Sequence, residues 1–270
     1  MYFATDTSLL VCQEVILLLQ LNNTHIHTST KVAICTLLHD IILWSNLNLE
    51  ISKILKLSPI AVLMTLLPSD GSADFTEIDP EITTLYHTAS LCLCHIVSWI
   101  DKKHDRNGSV AKVEIMSRIL HRGVIAHKLV TLITNNTLPL DIRVTITNSI
   151  TTQIAHQNMD EDAVWIDLNV IPGLCCVLNA LSEKMRAIAD KRYPDQTQLC
   201  ESQLCTLKAI LSTFCKLIRL DGFEPFLRCV AFWEVVNKLS DLLTAQNNKI
   251  YVYRKVRSLV DELNALIPVL

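Results

Sequence analysis

Apolar residues recur along this chain in a stripe at spacings of four, seven and eight residues. One copy starts at Ile125 and another at Val170, which places them 170 − 125 = 45 positions apart. Residues at these spacings share one face of an α-helix, and a period of about 40–47 residues is typical of solenoids built from helix pairs. The three regular copies are Pro59, Leu63, Leu66 and Leu67; Ile125, Leu129, Leu132 and Ile133; and Val170, Leu174, Val177 and Leu178.

The same periodicity predicts helices along most of the chain. A fourth copy of the stripe, starting at Phe232, is imperfect because Ser240 stands where an apolar residue is expected. Residues 142–152 alternate β-branched side chains as a strand would, but isoleucines also recur every four residues from Ile142 to Ile154, so we predict a helix. The other predicted helices span 7–21, 30–46, 81–101, 111–122, 170–189, 198–219, 226–244 and 249–266, and a further one begins near Ile51.

Together these elements predict an all-α, armadillo/HEAT-like solenoid of about four to five irregular helix pairs. We expect residues 1–270 to form one such domain. Solenoids need polar caps, whereas the first helix is apolar and the chain ends in IPVL. We therefore expect a domain cut from a longer protein, or an end that docks.

Composition narrows the function. Five glycines in 270 residues suit helices, and neither G-x-G-x-x-G nor G-x-x-x-x-G-K occurs, so these phosphate-binding loops are absent. A net charge of −3 argues against a protein that binds mainly phosphate. Ten cysteines without a C-x-x-C pair or an export signal indicate reduced, mostly buried thiols in a cytoplasmic or nuclear protein. No apolar run approaches the roughly 20 residues of a membrane helix.

Mean hydropathy of +0.33 is high for a free monomer. We expect part of the surface to be covered by another chain.

Four segments resemble the second helix of armadillo repeats, whose pattern is A-x-x-L-S-N-L-A. They are TLLHDII at 36–42, ASLCLCHIV at 89–97, NSITTQIA at 148–155 and AILSTFC at 209–215. In peptide-binding armadillo proteins the Asn of this segment lines the concave groove and holds the ligand backbone. The resemblance implies a groove ladder, which we define as Asp40, His95, Gln153 and Thr213. None of the four is Asn, and the Trp of importin-like repeats is absent four residues earlier.

Titratable residues offer little catalytic chemistry. His87, Cys92, Cys94 and His95 share a helix, and a zinc site is one interpretation; no second short-spaced pair completes it, so buried thiols beside a groove histidine are favoured. His25 and His27 are read as ordinary loop residues, and the adjacent Cys175 and Cys176 as core residues. No nucleophile signature such as G-x-S-x-G occurs. We expect no enzyme activity, no cofactor and no metal.

Basic residues form two predicted groups. One surrounds residues 118–128 and the other lies on the last helix; the simplest interpretation is a solvated outer face, and the alternative is a patch for an acidic segment or phosphate. The residues are Arg118, His121, Arg122, His127 and Lys128, and Lys249, Arg254, Lys255 and Arg257.

The sequence thus favours a protein–protein interaction scaffold or adaptor that binds a partner helix or extended segment on its concave face. Trp44, Trp99 and Trp233 are predicted anchors. End-face docking and homodimerisation stay open. The alternative is a helical-repeat module that binds nucleic acid or another polyanion through Arg118, Arg122, Lys128, Arg254 and Arg257.

Overall fold

The structure is a computed structural model, and it describes residues 5–21, 26–44, 59–68, 79–102, 112–156, 170–190, 199–221, 224–245 and 254–266. These ranges consist of α-helices and the turns that border them, without a strand. The fold is therefore all-α over the described residues, as predicted. Among the described helices, none combines the length and the apolarity needed to cross a bilayer.

The helices fall into two compact units, Met1–Leu132 and Ile133–Leu270. The first unit contains α1 (Thr5–Leu21), α2 (Thr28–Trp44), α3 (Pro59–Leu66), α4 (Pro80–Lys102) and most of α5 (Lys112–Thr134), which crosses the boundary. The second contains α6 (Leu140–His156), α7 (Val170–Ala189), α8 (Glu201–Asp221), α9 (Glu224–Leu227), α10 (Val230–Ala245) and α11 (Arg254–Leu266). The prediction of one continuous domain stays a prediction.

In the first unit, the principal helix packings close into a ring. α1 packs on α2 and α3, and both of these pack on α4. The side chains between them are apolar or thiol: Ile16 of α1, Leu38 and Cys35 of α2, Leu63 of α3 and Leu93 of α4 are almost fully buried. Each helix of the ring is therefore held by contacts on two flanks.

In the second unit, alternate helices pack side by side in two rows. α6, α8 and α11 form one row and α7 and α10 the other, and the rows also contact each other. Atomic contacts show that neighbours within a row run parallel, because contact partners advance together along both helices. From α8 to α11, Cys215 contacts Leu259 and Arg219 contacts Glu262.

Several sequence predictions can be compared directly with these helices. The helix over 142–152 is confirmed, and all residues of the stripes starting at Ile125 and Val170 are completely buried. The predicted end of the helix 111–122 is wrong, because α5 continues unbroken from Lys112 to Thr134. At Gly123 a Cβ would meet nothing within 4 Å, so the glycine marks no tight turn there.

Other predictions differ in detail. The predicted helix 226–244 is divided into α9 and α10, with a turn at Arg228 and Cys229. Pro80 begins α4 as predicted, and the Asp79 carboxylate Oδ1 accepts the backbone N–H of Glu81 at 2.8 Å, which caps the helix. The predicted helix near Ile51 and the loop histidine His25 lie outside the described residues.

Candidate interaction surfaces

α1 is apolar on two sides. One side contains the buried Val15, Ile16 and Leu19, which face α2 and α3. The other side exposes Leu10 (60%), Leu17 (37%) and Leu18 (46%) to solvent, at relative positions 0, 7 and 8, which lie on one helical face. Glu14 is exposed and lies midway along this face. We call the group of Leu10, Glu14, Leu17 and Leu18 the α1 outer face.

Two residues of the predicted groove ladder, Asp40 and His95, each contact His39. Asp40 is exposed on α2, and its Oδ1 lies 3.3 Å from Nδ1 of His39. The His39 ring meets the half-buried His95 ring of α4 edge-on, with centroids 4.9 Å apart. Nε2 of His39 is buried, and no described residue forms a hydrogen bond with it. His39 is the residue that the repeat comparison missed, although it immediately precedes Asp40.

The other two ladder residues lie inside the second unit. Gln153 of α6 and Thr213 of α8 are each only 4% exposed, and Oε1 of Gln153 has no hydrogen-bond partner among the described residues. Both side chains are therefore buried in this structure instead of lining an open groove.

Polar contacts link α6 to α8 at three levels. Gln203 donates from Nε2 to the Asp141 carboxylate at 2.9 Å, and the Thr206 hydroxyl donates to Oδ1 of Asn148 at 2.7 Å. At the far end, Nζ of Lys216 donates to the backbone carbonyl of residue 154. Because the partners advance in the same order on both helices, these bonds define a parallel register.

The predicted basic groups are only partly placed. The side chains of Arg118 and Arg122 lie outside the described residues, Lys128 is half-buried and Arg254 is exposed. The guanidinium of Arg257 donates to the backbone carbonyl of Leu243, so it joins α11 to α10. Arg257 is therefore engaged in packing the fold.

Arg143 is a buried cation that the sequence analysis did not single out. Its side chain is buried in the second unit, where Nε donates to the carbonyl of Ile133 at 2.9 Å and an η nitrogen to Sγ of Cys176 at 3.2 Å. The carbonyl belongs to the last turn of α5, whose terminal C=O groups lack partners within the helix. Arg143 therefore acts as a cap for α5.

The thiols of α2 and α4 are buried, as the composition indicated. Cys35, Cys92 and Cys94 are inaccessible to solvent, and the Cys92 thiol donates to the carbonyl of Cys35 at 3.5 Å. Burial disfavours the thiolate, which raises the pKa of Cys35 to about 12 and raises those of Cys92 and Cys94 well above the usual range. Within the described ranges, no group of three or more His, Cys, Asp or Glu side chains is arranged to hold a metal ion.

Two further thiols lie in the second unit. Cys175 of α7 is buried, and Cys229, which precedes α10, is half-buried. The backbone N–H of Phe232 donates to the Cys229 carbonyl at 3.0 Å. Hydrogen bonding from the Cys175 thiol lowers the pKa of Cys229 to about 6, whereas hydrogen bonding to Cys229 and burial raise the pKa of Cys175.

Of the three predicted tryptophan anchors, the structure describes the side chain of Trp233. The side chains of Trp44 and Trp99 lie outside the described residues. Trp233 is half-buried and meets Phe232 edge-on, with ring centroids 5.7 Å apart. Phe232 in turn belongs to a fully buried cluster with Phe214 and Phe226. Trp233 thus extends an aromatic core toward the surface.

Comparisons of the chain with models of protein families, with curated proteins and with solved structures find no match. The resemblance to armadillo and HEAT repeats stays a prediction.

Proposed function

We propose that this chain is a protein-interaction module that binds an amphipathic helix of a partner protein through the α1 outer face. The observation that carries the proposal is that three leucines of α1 are exposed on one helical face, opposite the buried Val15, Ile16 and Leu19. Exposed apolar residues that cluster on one face mark interaction sites. The leucines of the α1 outer face are therefore suited to contact with a partner.

The partner's chemistry follows from Glu14. This residue lies at the middle of the α1 outer face, so two copies of α1 packed antiparallel about that point would set Glu14 against its own copy. Like charges placed opposite each other in an interface disfavour association. A partner helix with leucine-like residues at positions i, i+3, i+4 and i+7 and one Lys or Arg opposite Glu14 fits better than a second copy of this chain.

The free energy gained by burying the three leucines is adequate for a reversible interaction. Burying a leucine fully contributes about 1.5–3 kcal/mol. Three leucines that are already about half covered would contribute on the order of 3 kcal/mol together, since only the remaining exposed area is gained. This corresponds to roughly a hundredfold in affinity, so the face would act as the centre of a larger contact.

The second unit would serve as the scaffold. We propose that its two rows are an irregular armadillo-like solenoid. Neighbouring helices in such a fold are parallel and related by a constant repeat length. Contacts from α8 to α11 join residues 43 and 44 positions apart, and Cys176 of α7 lies against the Thr134 carbonyl, 42 positions away. From α6 to α8 the separations are 58 to 62, so that repeat is longer.

The proposal is tested by comparing Leu18→Glu with a matched control. Leu18 and Leu227 are leucines that are each 46% exposed, one on α1 and one on α9. Proteins captured from extracts of expressing cells by the native chain and by Leu227→Glu, but not by Leu18→Glu, are identified. Their apolar helical segments are then synthesised, labelled and titrated with each purified chain by fluorescence anisotropy.

We expect Leu18→Glu to weaken such a peptide at least tenfold and Leu227→Glu to leave its Kd within about twofold. A Lys→Glu change in the peptide, opposite Glu14, should also weaken binding. Equal affinities for all three chains would overturn the proposal. Binding that collapses between about 50 and 200 mM salt would instead favour the polyanion alternative, which predicts sensitivity at Lys128 and Arg254.

A further inference from the structure

Two histidines of the first unit meet where α2 packs on α4. The ring of His39 meets the ring of His95 edge-on, with centroids 4.9 Å apart and planes inclined by 61°. The side chain of His39 is 15% exposed, and His95 is half-buried. Because the two imidazoles belong to different helices, a single ion bound by both would join α2 to α4.

Asp40 determines which nitrogen of His39 carries the hydrogen. Oδ1 of Asp40 lies 3.3 Å from Nδ1 of His39, and an ionised carboxylate can only accept hydrogen bonds. Nδ1 is therefore the donor, and in the neutral ring Nε2 has a lone pair and no hydrogen. Histidines that bind metals adopt this arrangement, in which one ring nitrogen donates to a carboxylate and the other binds the ion.

The lone pair on Nε2 of His39 lacks a donor within the described part of the chain. The atom is buried, and no described residue forms a hydrogen bond with it. A buried acceptor without a donor is unfavourable, and the neighbouring ring on the facing helix is a second imidazole. A histidine binds a metal ion through one ring nitrogen, so His95 can contribute a ligand while its other nitrogen is hydrogen-bonded.

The distance between the rings suits one shared ion. Two imidazole nitrogens bound to one zinc ion at about 2.0–2.1 Å, with a tetrahedral angle between them, have ring centroids about 5 Å apart. The rings of His39 and His95 already lie 4.9 Å apart. The rings need to turn until one nitrogen of each faces the ion, but α2 and α4 need not move.

We propose that His39 and His95 bind a divalent transition-metal ion, with Asp40 as the positioning residue that holds the His39 ring through Nδ1. Imidazole favours zinc, copper and nickel, whereas magnesium and calcium prefer oxygen ligands. Within the described ranges no three His, Cys, Asp or Glu side chains are arranged around one ion. The protein therefore supplies two ligands, and water occupies the other positions. This proposal replaces the expectation of no metal that the sequence suggested.

The neighbouring thiols do not complete a set of four ligands. Cys35 and Cys92 lie one turn from the two histidines on the same helices, and the Cys92 thiol donates to the Cys35 carbonyl at 3.5 Å. Burial raises the pKa of Cys35 to about 12, whereas a cysteine binds a metal ion as the thiolate. Cobalt, used in place of zinc, should therefore bind without the strong near-ultraviolet absorption of a cobalt–thiolate bond.

The test is a zinc titration of the reduced full-length chain with ¹⁵N-labelled histidine side chains, followed by NMR. Before zinc is added, the spectrum of His39 should show hydrogen on Nδ1 and none on Nε2. We expect Nε2 of His39 and one ring nitrogen of His95 to shift together as zinc is added. Excess zinc should also raise the urea concentration at the midpoint of unfolding, because only the folded chain holds both rings around one ion.

Variants separate the ligands from the positioning residue. His39→Gln and His95→Gln should each weaken zinc binding at least tenfold by isothermal titration calorimetry, and Asp40→Ala should weaken it about tenfold through loss of its bond to the ring. His27→Gln is the matched control, since His27 also lies near a carboxylate, that of Glu81 at 3.8 Å, but its side chain is 77% exposed. This control should keep the Kd within about twofold.

Circular dichroism verifies that each variant is folded before zinc is added. The proposal is overturned if excess zinc does not shift the His39 resonances, or if His95→Gln binds zinc as tightly as the native chain. Cobalt–thiolate absorption that persists in the His39→Gln variant would also overturn it, because the ion would then be held by cysteines.

Discussion

The two compact units hold their helices together in different ways. In the ring of α1 to α4, the buried positions are mainly apolar side chains and thiols, with the hydroxyl of Ser90 among them, and the ring leaves further leucines on the outside of α1. In the two rows of the second unit, side chains such as Asn148 and Gln203 bond across helix interfaces. Apolar packing is tolerant of small shifts, whereas hydrogen bonds fix a register.

This difference suggests that the two units have different roles. Polar bonds between parallel helices specify one arrangement, which suits a rigid scaffold. A unit with apolar residues on both sides of a helix is suited to bind another apolar surface. The predictions below probe this contrast, beginning with the largest expected effect.

The aromatic cluster of the second unit should be the most sensitive part of its core. Phe214, Phe226 and Phe232 are fully buried and meet edge-on, with centroids 4.9 to 5.6 Å apart. We expect Phe214→Ala to lower the free energy of unfolding by about 3–5 kcal/mol, measured by urea denaturation. Phe214→Leu keeps most of the volume and should cost clearly less. Equal losses would show that the site does not depend on filled volume.

Stability should fall in alkaline solution because of the buried thiols of the first unit. Burial raises the pKa of Cys94 far above that of an unfolded thiol, about 8.5. A raised folded-state pKa contributes stability that is complete below pH 8.5 and is lost above it, because only the unfolded chain releases the proton. The slope per thiol is at most about 1.4 kcal/mol per pH unit.

This slope is measured by urea denaturation between pH 8 and pH 10. Cys94→Ala should reduce it, whereas Leu93→Val, a neighbouring buried change without a titrating group, should lower stability equally at every pH. An unchanged slope in Cys94→Ala would contradict the assignment.

A single polar bond between neighbouring helices of one row should have a smaller effect. Thr206→Val keeps the shape of the side chain but removes the hydroxyl that donates to Asn148. We expect a loss of about 1–2 kcal/mol, because Asn148 is left without this donor. The control is Thr244→Val, whose exposed hydroxyl bonds to the carbonyl of Ser240 in its own helix, and which should change stability by no more than about 0.5 kcal/mol. A double-mutant cycle with Asn148→Ala would isolate the pair.

The smallest effect on stability is expected on the α1 outer face. Leu18→Glu replaces a side chain that is 46% exposed, so the free energy of unfolding of the isolated chain should change by no more than about 0.5 kcal/mol. The same substitution is expected to weaken partner binding at least tenfold. A large loss of stability would show that Leu18 is covered within the chain and would remove the argument for a docking surface.

Periodicity predicted much of the fold because it directly encodes burial. The stripes at Ile125 and Val170 are buried as expected, and isoleucines every four residues outweighed the strand-like alternation after Ile142. Helix ends were less predictable. Gly123 was read as a boundary although α5 continues through it, because a single glycine weakens a helix by only about 1 kcal/mol.

The sites were less predictable because they depend on which helices become neighbours. Gln153 and Thr213 occupy polar positions of repeat-like segments, yet both are buried by the packing of the second unit. The α1 outer face was visible as an apolar first helix, but only the packing shows which of its leucines remain exposed.

Site-specific photo-crosslinking tests the central claim most directly. A benzophenone side chain replaces Leu17 on the α1 outer face, the protein is irradiated in extracts of the cells that express it, and the crosslinked peptide is sequenced by mass spectrometry. The account predicts a crosslink to an amphipathic helical segment of another protein that carries a Lys or Arg beside its apolar stripe, and no such crosslink when the benzophenone replaces Leu227. A crosslink to this chain's own α1, or the same products from both positions, would contradict it.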